Sequence, residues 1–138
     1  MDGNKPVLLV EDYNVDQEAV SRAFEELKIM NPLAIANHGE EALDYLREHK
    51  SSRPCLILLD LNMPRMNGIE FLDVIKKEDA FRRIPVIVFT TSEEEKDKVA
   101  SYNLGVSGYV VKPVSPDKFT ETFRTIDVYW TINEIANT

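Results

Sequence analysis

Cys55-Leu56-Ile57-Leu58-Leu59-Asp60-Leu61-Asn62-Met63-Pro64 is the stretch on which the fold turns. Five apolar residues run without a break into a carboxylate, and Pro54 and Pro64 bound the stretch. An unbroken apolar run of this length is the pattern of a strand buried on both faces, as in a parallel sheet. A lone carboxylate in mid-core is costly. Asp60 is therefore expected where the strand emerges at the carboxyl edge of the sheet, the edge at which open α/β sheets keep their ligands. That makes Asp60 the candidate chemical centre.

Working outward, Pro6-Val7-Leu8-Leu9-Val10 is a second apolar run, and it ends on Glu11-Asp12. Asn14 reads as an N-cap with Gln17 at the third helical position, and Val15, Ala19, Ala23, Phe24 and Leu27 recur at helical spacing up to a stop near Lys28. Leu33 to Ala36 is a short strand, and Asn37 to Glu40 repeats the capping spacing ahead of a helix marked by Ala42, Leu43 and Leu46. That helix ends near His49. Asn67-Gly68-Ile69-Glu70 caps a third helix with Ile69, Leu72 and Ile75 on its inner face. Pro85 to Phe89 is a fourth strand ending on Thr90-Thr91, and Ser92-Glu93-Glu94-Glu95 reads as a capping box for a helix that stops at Gly105. Gly108 to Val111 is a fifth strand ending on Lys112-Pro113. Ser115-Pro116 opens the last helix, whose stripe is Phe119, Phe123, Ile126 and Trp130.

Strands alternating with helices over short connections imply an α/β fold, a parallel sheet with helices on both faces, because each crossover is right-handed. The 138 residues fit one domain with a proper core, about 5–130, and a helical extension to about 136. Sixteen basic against twenty-four acidic side chains give a net charge of −8, which argues against nucleic acid or an anionic membrane as the main partner. The one cysteine, Cys55, has no internal partner for a disulfide, and its place in the apolar run reads as a buried, inert thiol. No signal peptide or transmembrane run is visible, so a soluble, cytoplasmic protein is expected.

Four strand ends carry polar residues, Glu11-Asp12, Asp60, Thr90 and Lys112, and a parallel sheet places them on one rim. Clustered carboxylates repel one another and call for a cation. Oxygen ligands without His or Cys point to a hard ion, Mg²⁺ ahead of Ca²⁺ or Zn²⁺. Lys112 supplies a second positive charge for an incoming phosphoryl oxygen, and Thr90 can donate to another. The set suits an aspartate that accepts a phosphoryl group in line.

Glu11-Asp12, the D-x-N-M-P stretch from Asp60 to Pro64, Gly68, Thr90 and Lys112-Pro113 together resemble the receiver domains of two-component response regulators, over roughly Lys5 to Trp130. Phe89-Thr90-Thr91-Ser92 and Tyr129-Trp130 are most similar to the stand-alone receivers paired with bacterial phytochrome-type kinases. The resemblance implies a flavodoxin-like, five-stranded sheet in the order 2-1-3-4-5. It implies that Asp60 accepts a phosphoryl group from a sensor histidine kinase. It also implies that Asp12 and Asp60 bind Mg²⁺, Asn62 adds its backbone carbonyl, and Glu11 holds a metal-bound water. Lys112 would pair with the phosphoryl group, with a cis peptide before Pro113. Thr90 and Tyr109 would act as the switch, and side chains at Asn62 and Ser92 would tune phosphate lifetime. Where many receivers carry Ala or Gly, this chain has Thr91, whose β-branched side chain narrows the approach to the phosphoryl group.

Each of these residues also has a plainer reading: a strand-end carboxylate, a solvated acidic pair, a turn hydroxyl, a helix-capping lysine, a packing tyrosine. Their joint placement favours the switch. His38 and His49 lie near helix ends, without a second ligand at metal spacing, and are read as solvent-facing. Tyr129, Trp130, Ile132 and Ile135 continue past what one small sheet covers, and a homodimer through the last helix is expected. Signalling would pass to a separate downstream protein, or the chain would serve as a phosphate sink in a branched relay. An aspartyl-phosphate phosphatase or mutase would carry D-x-D where this chain has Asp60-Leu61-Asn62. A flavin or nucleotide carrier would show G-x-G-x-x-G or a P-loop, and neither follows any strand.

Overall fold

The computed structural model describes residues 4–136, and side chains through residue 131. The elements run β1 (Val7–Val10), α1 (Asn14–Glu26), β2 (Leu33–Ala36), α2 (Gly39–Glu48), β3 (Leu56–Leu59) and α3 (Gly68–Lys76). They continue as β4 (Val86–Thr90), α4 (Glu95–Asn103), β5 (Gly108–Val111), a 3-10 turn (Pro116–Lys118) and α5 (Phe119–Ala136). All strand pairings are parallel and the order is β2-β1-β3-β4-β5, the flavodoxin-like arrangement.

The apolar runs become strands because they must bury both faces at once. β1, β3 and β4 are buried along their whole length, whereas the edge strands β2 and β5 are mostly half-buried. Successive side chains point to opposite faces. Leu8, Val10, Ile57, Leu59 and Val88 therefore meet Leu46, Phe71, Leu72 and Ile75 from α2 and α3. Val7, Leu9, Leu58, Ile87 and Phe89 meet Ala23 and Phe24 of α1 and Phe119, Phe123 and Trp130 of α5. Truncating a fully buried ring such as Phe71 to Ala in a layer like this costs about 3–5 kcal/mol.

Local starts and stops differ from the sequence pattern at several points. Helix α1 is capped by Tyr13 with no side-chain bond, and Asn14 is its first residue. Gln17 instead reaches sideways, its Nε2 donating to the Glu11 carbonyl at 2.6 Å and to Asn37 Oδ1 at 2.8 Å. In α2 the cap is His38, whose Nδ1 accepts from the Glu41 amide at 3.2 Å, so this imidazole serves the helix and is half-buried. His49 is half-buried too, stacked on Tyr45 at 4.1 Å. Only the Asn67–Glu70 capping box forms as the sequence implies; there Phe71, Leu72 and Ile75 are buried and Ile69 is half-buried.

The capping box at Ser92 does not form, because α4 begins after Glu94 and Ser92 Oγ is engaged with Asp97 Oδ2 at 2.5 Å. Cys55 lies just before β3 and is half-exposed, not buried. Gly105, expected to stop α4, sits at φ +83°, a left-handed turn that suits glycine two residues past Asn103. Among the described residues no helix is long and apolar enough to cross a membrane. Ile132 and Ile135 lie outside the described side chains.

Candidate functional site at the carboxyl rim

Continued backbone ladders bring the polar strand ends together. The Asp60 amide donates to the Val10 carbonyl at 3.0 Å, Glu11 to Ala36 at 2.9 Å, and Lys112 to Thr90 at 2.8 Å. Helix α3 closes against this rim at Gly68. A Cβ there would stand 2.5 Å from the Asp60 carbonyl oxygen and 2.7 Å from Leu61 Cα, so only glycine allows the approach. The Gly68 amide donates to the Leu61 carbonyl at 3.1 Å, and the Asn62 amide to Asp60 Oδ1 at 3.4 Å.

Glu11, Asp12 and Asp60 each offer a carboxylate oxygen, and these oxygens lie within 4.8 Å of one another. Glu11 and Asp60 are buried while Asp12 is exposed, so the cluster opens to solvent on one side. Lys112, itself buried, reaches into it. Its Nζ donates to Glu11 Oε1 and, at 2.8 Å, to Asp16 Oδ2, and stands 3.8 Å from Asp60 Oδ2. The face of Phe89 lies 5.7 Å from the ammonium.

Electrostatics follow from this crowding. Burial, and then the negative charge of Asp60, push the Glu11 carboxyl up to about 7 against the pull of Lys112. Burial works against the Lys112 ammonium, yet Asp60, Asp16 and Glu11 outweigh it and its pKa is raised. Three carboxylates around one ammonium, with Asp12 beside two of them, leave excess negative charge at a half-open site. An all-oxygen donor set with that excess fits a hard divalent cation. Asp12 and Asp60, with Glu11 beside them, are the residues placed to hold it.

The remaining expected residues flank this cluster. Thr90 is fully buried at the end of β4, and its Oγ1 accepts from the Ser92 amide at 3.4 Å. Tyr109, half-buried on β5, donates its hydroxyl to the Ser92 carbonyl at 2.9 Å. Asn62, Thr91, Ser92 and Asp97 line a shallow cleft beside the rim. The cis bond expected before Pro113 is absent: no peptide among the described residues is cis, and trans is the lower-energy isomer even before proline.

Asp16 was missed by the sequence reading. Its signal was available, because Asp16 shares the helical stripe of Ala19, Val20 and Ala23, and all four are buried. Val15, placed on that stripe, is 45% exposed.

Comparison with known proteins bears on this arrangement. The family model for the response regulator receiver domain matches residues 7–124. The probable methanogenesis regulatory protein FilR2 of Methanothrix harundinacea is 39% identical over 127 residues, covering 90% of this chain and 82% of that protein. Response regulator Rcp1 of Synechocystis is 38% identical over 130 residues, 91% of this chain and 88% of that protein. The crystal structure of the Mn²⁺-bound form of Rcp1 superposes with a TM-score of 0.83 at 38% identity, covering 91% of this chain and 94% of that one. The phosphorylated cyanobacterial phytochrome response regulator RcpA superposes with a TM-score of 0.86 at 35% identity, over 93% and 94% of the two chains. With its strand order, its acidic rim and most of each relative's length in common, the chain belongs to the response regulator receiver domains of two-component signalling.

Proposed function

We infer that this chain is a phosphorylatable switch whose acceptor is Asp60. The observation that carries the reading is the convergence of Asp60 with Glu11, Asp12 and Lys112 on one half-open rim. The phosphoryl donor is the phosphohistidine of a sensor kinase, of the phytochrome type by analogy with what RcpA is named for. In the transfer an Asp60 carboxylate oxygen attacks phosphorus, the P–N bond to the kinase imidazole breaks, and the ring retains the electron pair and takes up a proton. The chemistry is one event per protein molecule, not turnover of a substrate, so the chain acts as a switch and not as an enzyme.

Asp12 and Asp60, with the Asn62 backbone carbonyl, would hold Mg²⁺, and Glu11 would hold a water beside it. When bound, the cation offsets the charge of the phosphoryl oxygens and of the carboxylates. Lys112 pairs with one phosphoryl oxygen and Thr90 donates to another. Drawing Thr90 toward the acceptor alters its contact with the Ser92 amide, and Tyr109, tied to the Ser92 carbonyl, follows. Helix α4 is suited to respond, because Ser101 is its one buried residue. The resulting change at α4 and β5 is read by a separate downstream protein. Asn62, Thr91 and Ser92 tune phosphoform lifetime from the cleft they line. The working unit is a single receiver domain with core 5–130, acting in the cytoplasm.

Incubation with acetyl phosphate and Mg²⁺ tests the reading. One phosphoryl group should be added per chain, chelation of the metal should abolish it, and Asp60→Asn should take up none. Labelling that persists in Asp60→Asn would overturn the assignment.

A further inference from the structure

The cation meant for the phosphoryl group is already committed elsewhere. Lys112 Nζ is 2.8 Å from Asp16 Oδ2 and bonded to Glu11, while Asp60 Oδ2 stands at 3.8 Å, beyond hydrogen-bond range. Asp16 projects from the first turn of α1, is 8% exposed, and has Lys112 as its one ion-pair partner among the described residues. It also stands apart from the carboxylates that gather within 4.8 Å of one another. Glu11 and Asp60 are shared between Lys112 and the proposed metal site; Asp16 serves Lys112 alone. A buried carboxylate with a single partner holds that partner firmly, because letting go leaves its own charge uncompensated.

We propose that Asp16 is a positioning residue that restrains the Lys112 ammonium on the α1 side of the rim and competes with the phosphoryl oxygens for it. The inference rests on Asp60 being the acceptor. Phosphorylation then requires Lys112 to exchange the Asp16 oxygen for a phosphoryl oxygen. The competition slows entry of the phosphoryl group and weakens its hold once there. Asp16 is thus a brake built into α1.

Asp16→Asn keeps the shape and removes the charge. With acetyl phosphate and Mg²⁺ it should be phosphorylated faster, and should bind fluoroberyllate more tightly, each by roughly threefold to tenfold, the scale of one charge-assisted hydrogen bond partly replaced. Asp16→Glu, which retains a carboxylate, should return both values toward wild type. In the metal-free protein the ¹⁵N resonance of Lys112 Nζ should move in Asp16→Asn. A merely structural role predicts slower phosphorylation in a loosened site, so the direction of the change discriminates. Rates and affinity equal to or below wild type, in a variant with unchanged thermal unfolding, would overturn the proposal. Asp16→Ser repeats the test should the Asn variant unfold. If wild type takes up no phosphoryl group at Asp60, the switch reading fails first and the brake falls with it. If wild type is labelled and the variants are not accelerated, only the brake fails.

Discussion

Glu11 holds a carboxyl whose ionisation works against its surroundings. Buried beside Asp60, it is raised from 4.5 to about 7, by desolvation first and by the neighbouring charge second. Between those values the folded chain retains a proton that the unfolded chain has released, so the stability of the metal-free protein falls as pH rises through this window. Lys112 has the same sign at the alkaline end: its raised pKa contributes stability that is present below 10.5 and lost only as pH climbs past its folded value. Denaturant unfolding of the metal-free protein at pH 5 and pH 8, compared with Glu11→Gln, isolates the first effect. The variant should gain on wild type by on the order of 2–3 kcal/mol over that interval. A difference independent of pH would mean that Glu11 ionises normally. Thr91 sets a second residue-scale test. It is exposed beside Asn62 and Ser92, where a β-branched side chain would narrow the entry to the rim. Thr91→Ala should speed both phosphotransfer and loss of the phosphoryl group, and a variant unchanged in both would show that Thr91 plays no part.

At the scale of elements, legibility followed burial. β1, β3 and β4 are buried on both faces, so their sequences are nearly pure apolar runs and their ends, Glu11, Asp60 and Thr90, could be placed at the rim from the chain alone. Helix α1 was harder. Its inner stripe contains a charged residue, Asp16, which an apolar-periodicity rule passes over, and an exposed Val15 filled the gap in the pattern. The acids before α4 matched a capping template, yet Ser92 was claimed by Asp97, a partner outside the template. The place of Asp16 on the inner stripe is marked in the sequence, but its pairing with Lys112, 96 residues away, is not. Helix α5 raises a similar point. Trp130, read both as the end of the apolar stripe and as part of a partner surface, is 6% exposed and packs in the core as the stripe implies, its indole N–H without a partner among the described residues. Val128 and Tyr129 on the same helix are more than half exposed, and they are what a homodimer would cover. Sedimentation of the protein with Mg²⁺ and fluoroberyllate should give a dimer that Tyr129→Lys returns to monomer. A monomeric mass for wild type with and without fluoroberyllate would rule this interface out.

At the scale of the whole molecule, the acidic rim joins parts of the chain that are far apart in sequence but adjacent in the sheet. Glu11 and Asp12 follow β1, Asp60 follows β3, and these two strands pair at the centre of the order β2-β1-β3-β4-β5. Any cation shared by the two strand ends exists only in the folded chain, because the unfolded chain does not hold those oxygens together. Binding confined to the folded state stabilises it in proportion to the logarithm of free metal over its dissociation constant, about 1.4 kcal/mol at a tenfold excess. For a domain of 138 residues that raises Tm by roughly 3–6 °C. The net charge of −8 adds a complication, since any salt relieves self-repulsion and raises Tm without a specific site. Asp12→Asn separates the two. It removes an exposed ligand while leaving the Lys112 ion pairs in place, so general screening persists and the specific term goes. Wild type should therefore gain several degrees more from MgCl₂ than from NaCl of equal ionic strength, and Asp12→Asn should gain equally from both. Equal gains in wild type would mean that the carboxylates gathered at the rim hold no divalent ion.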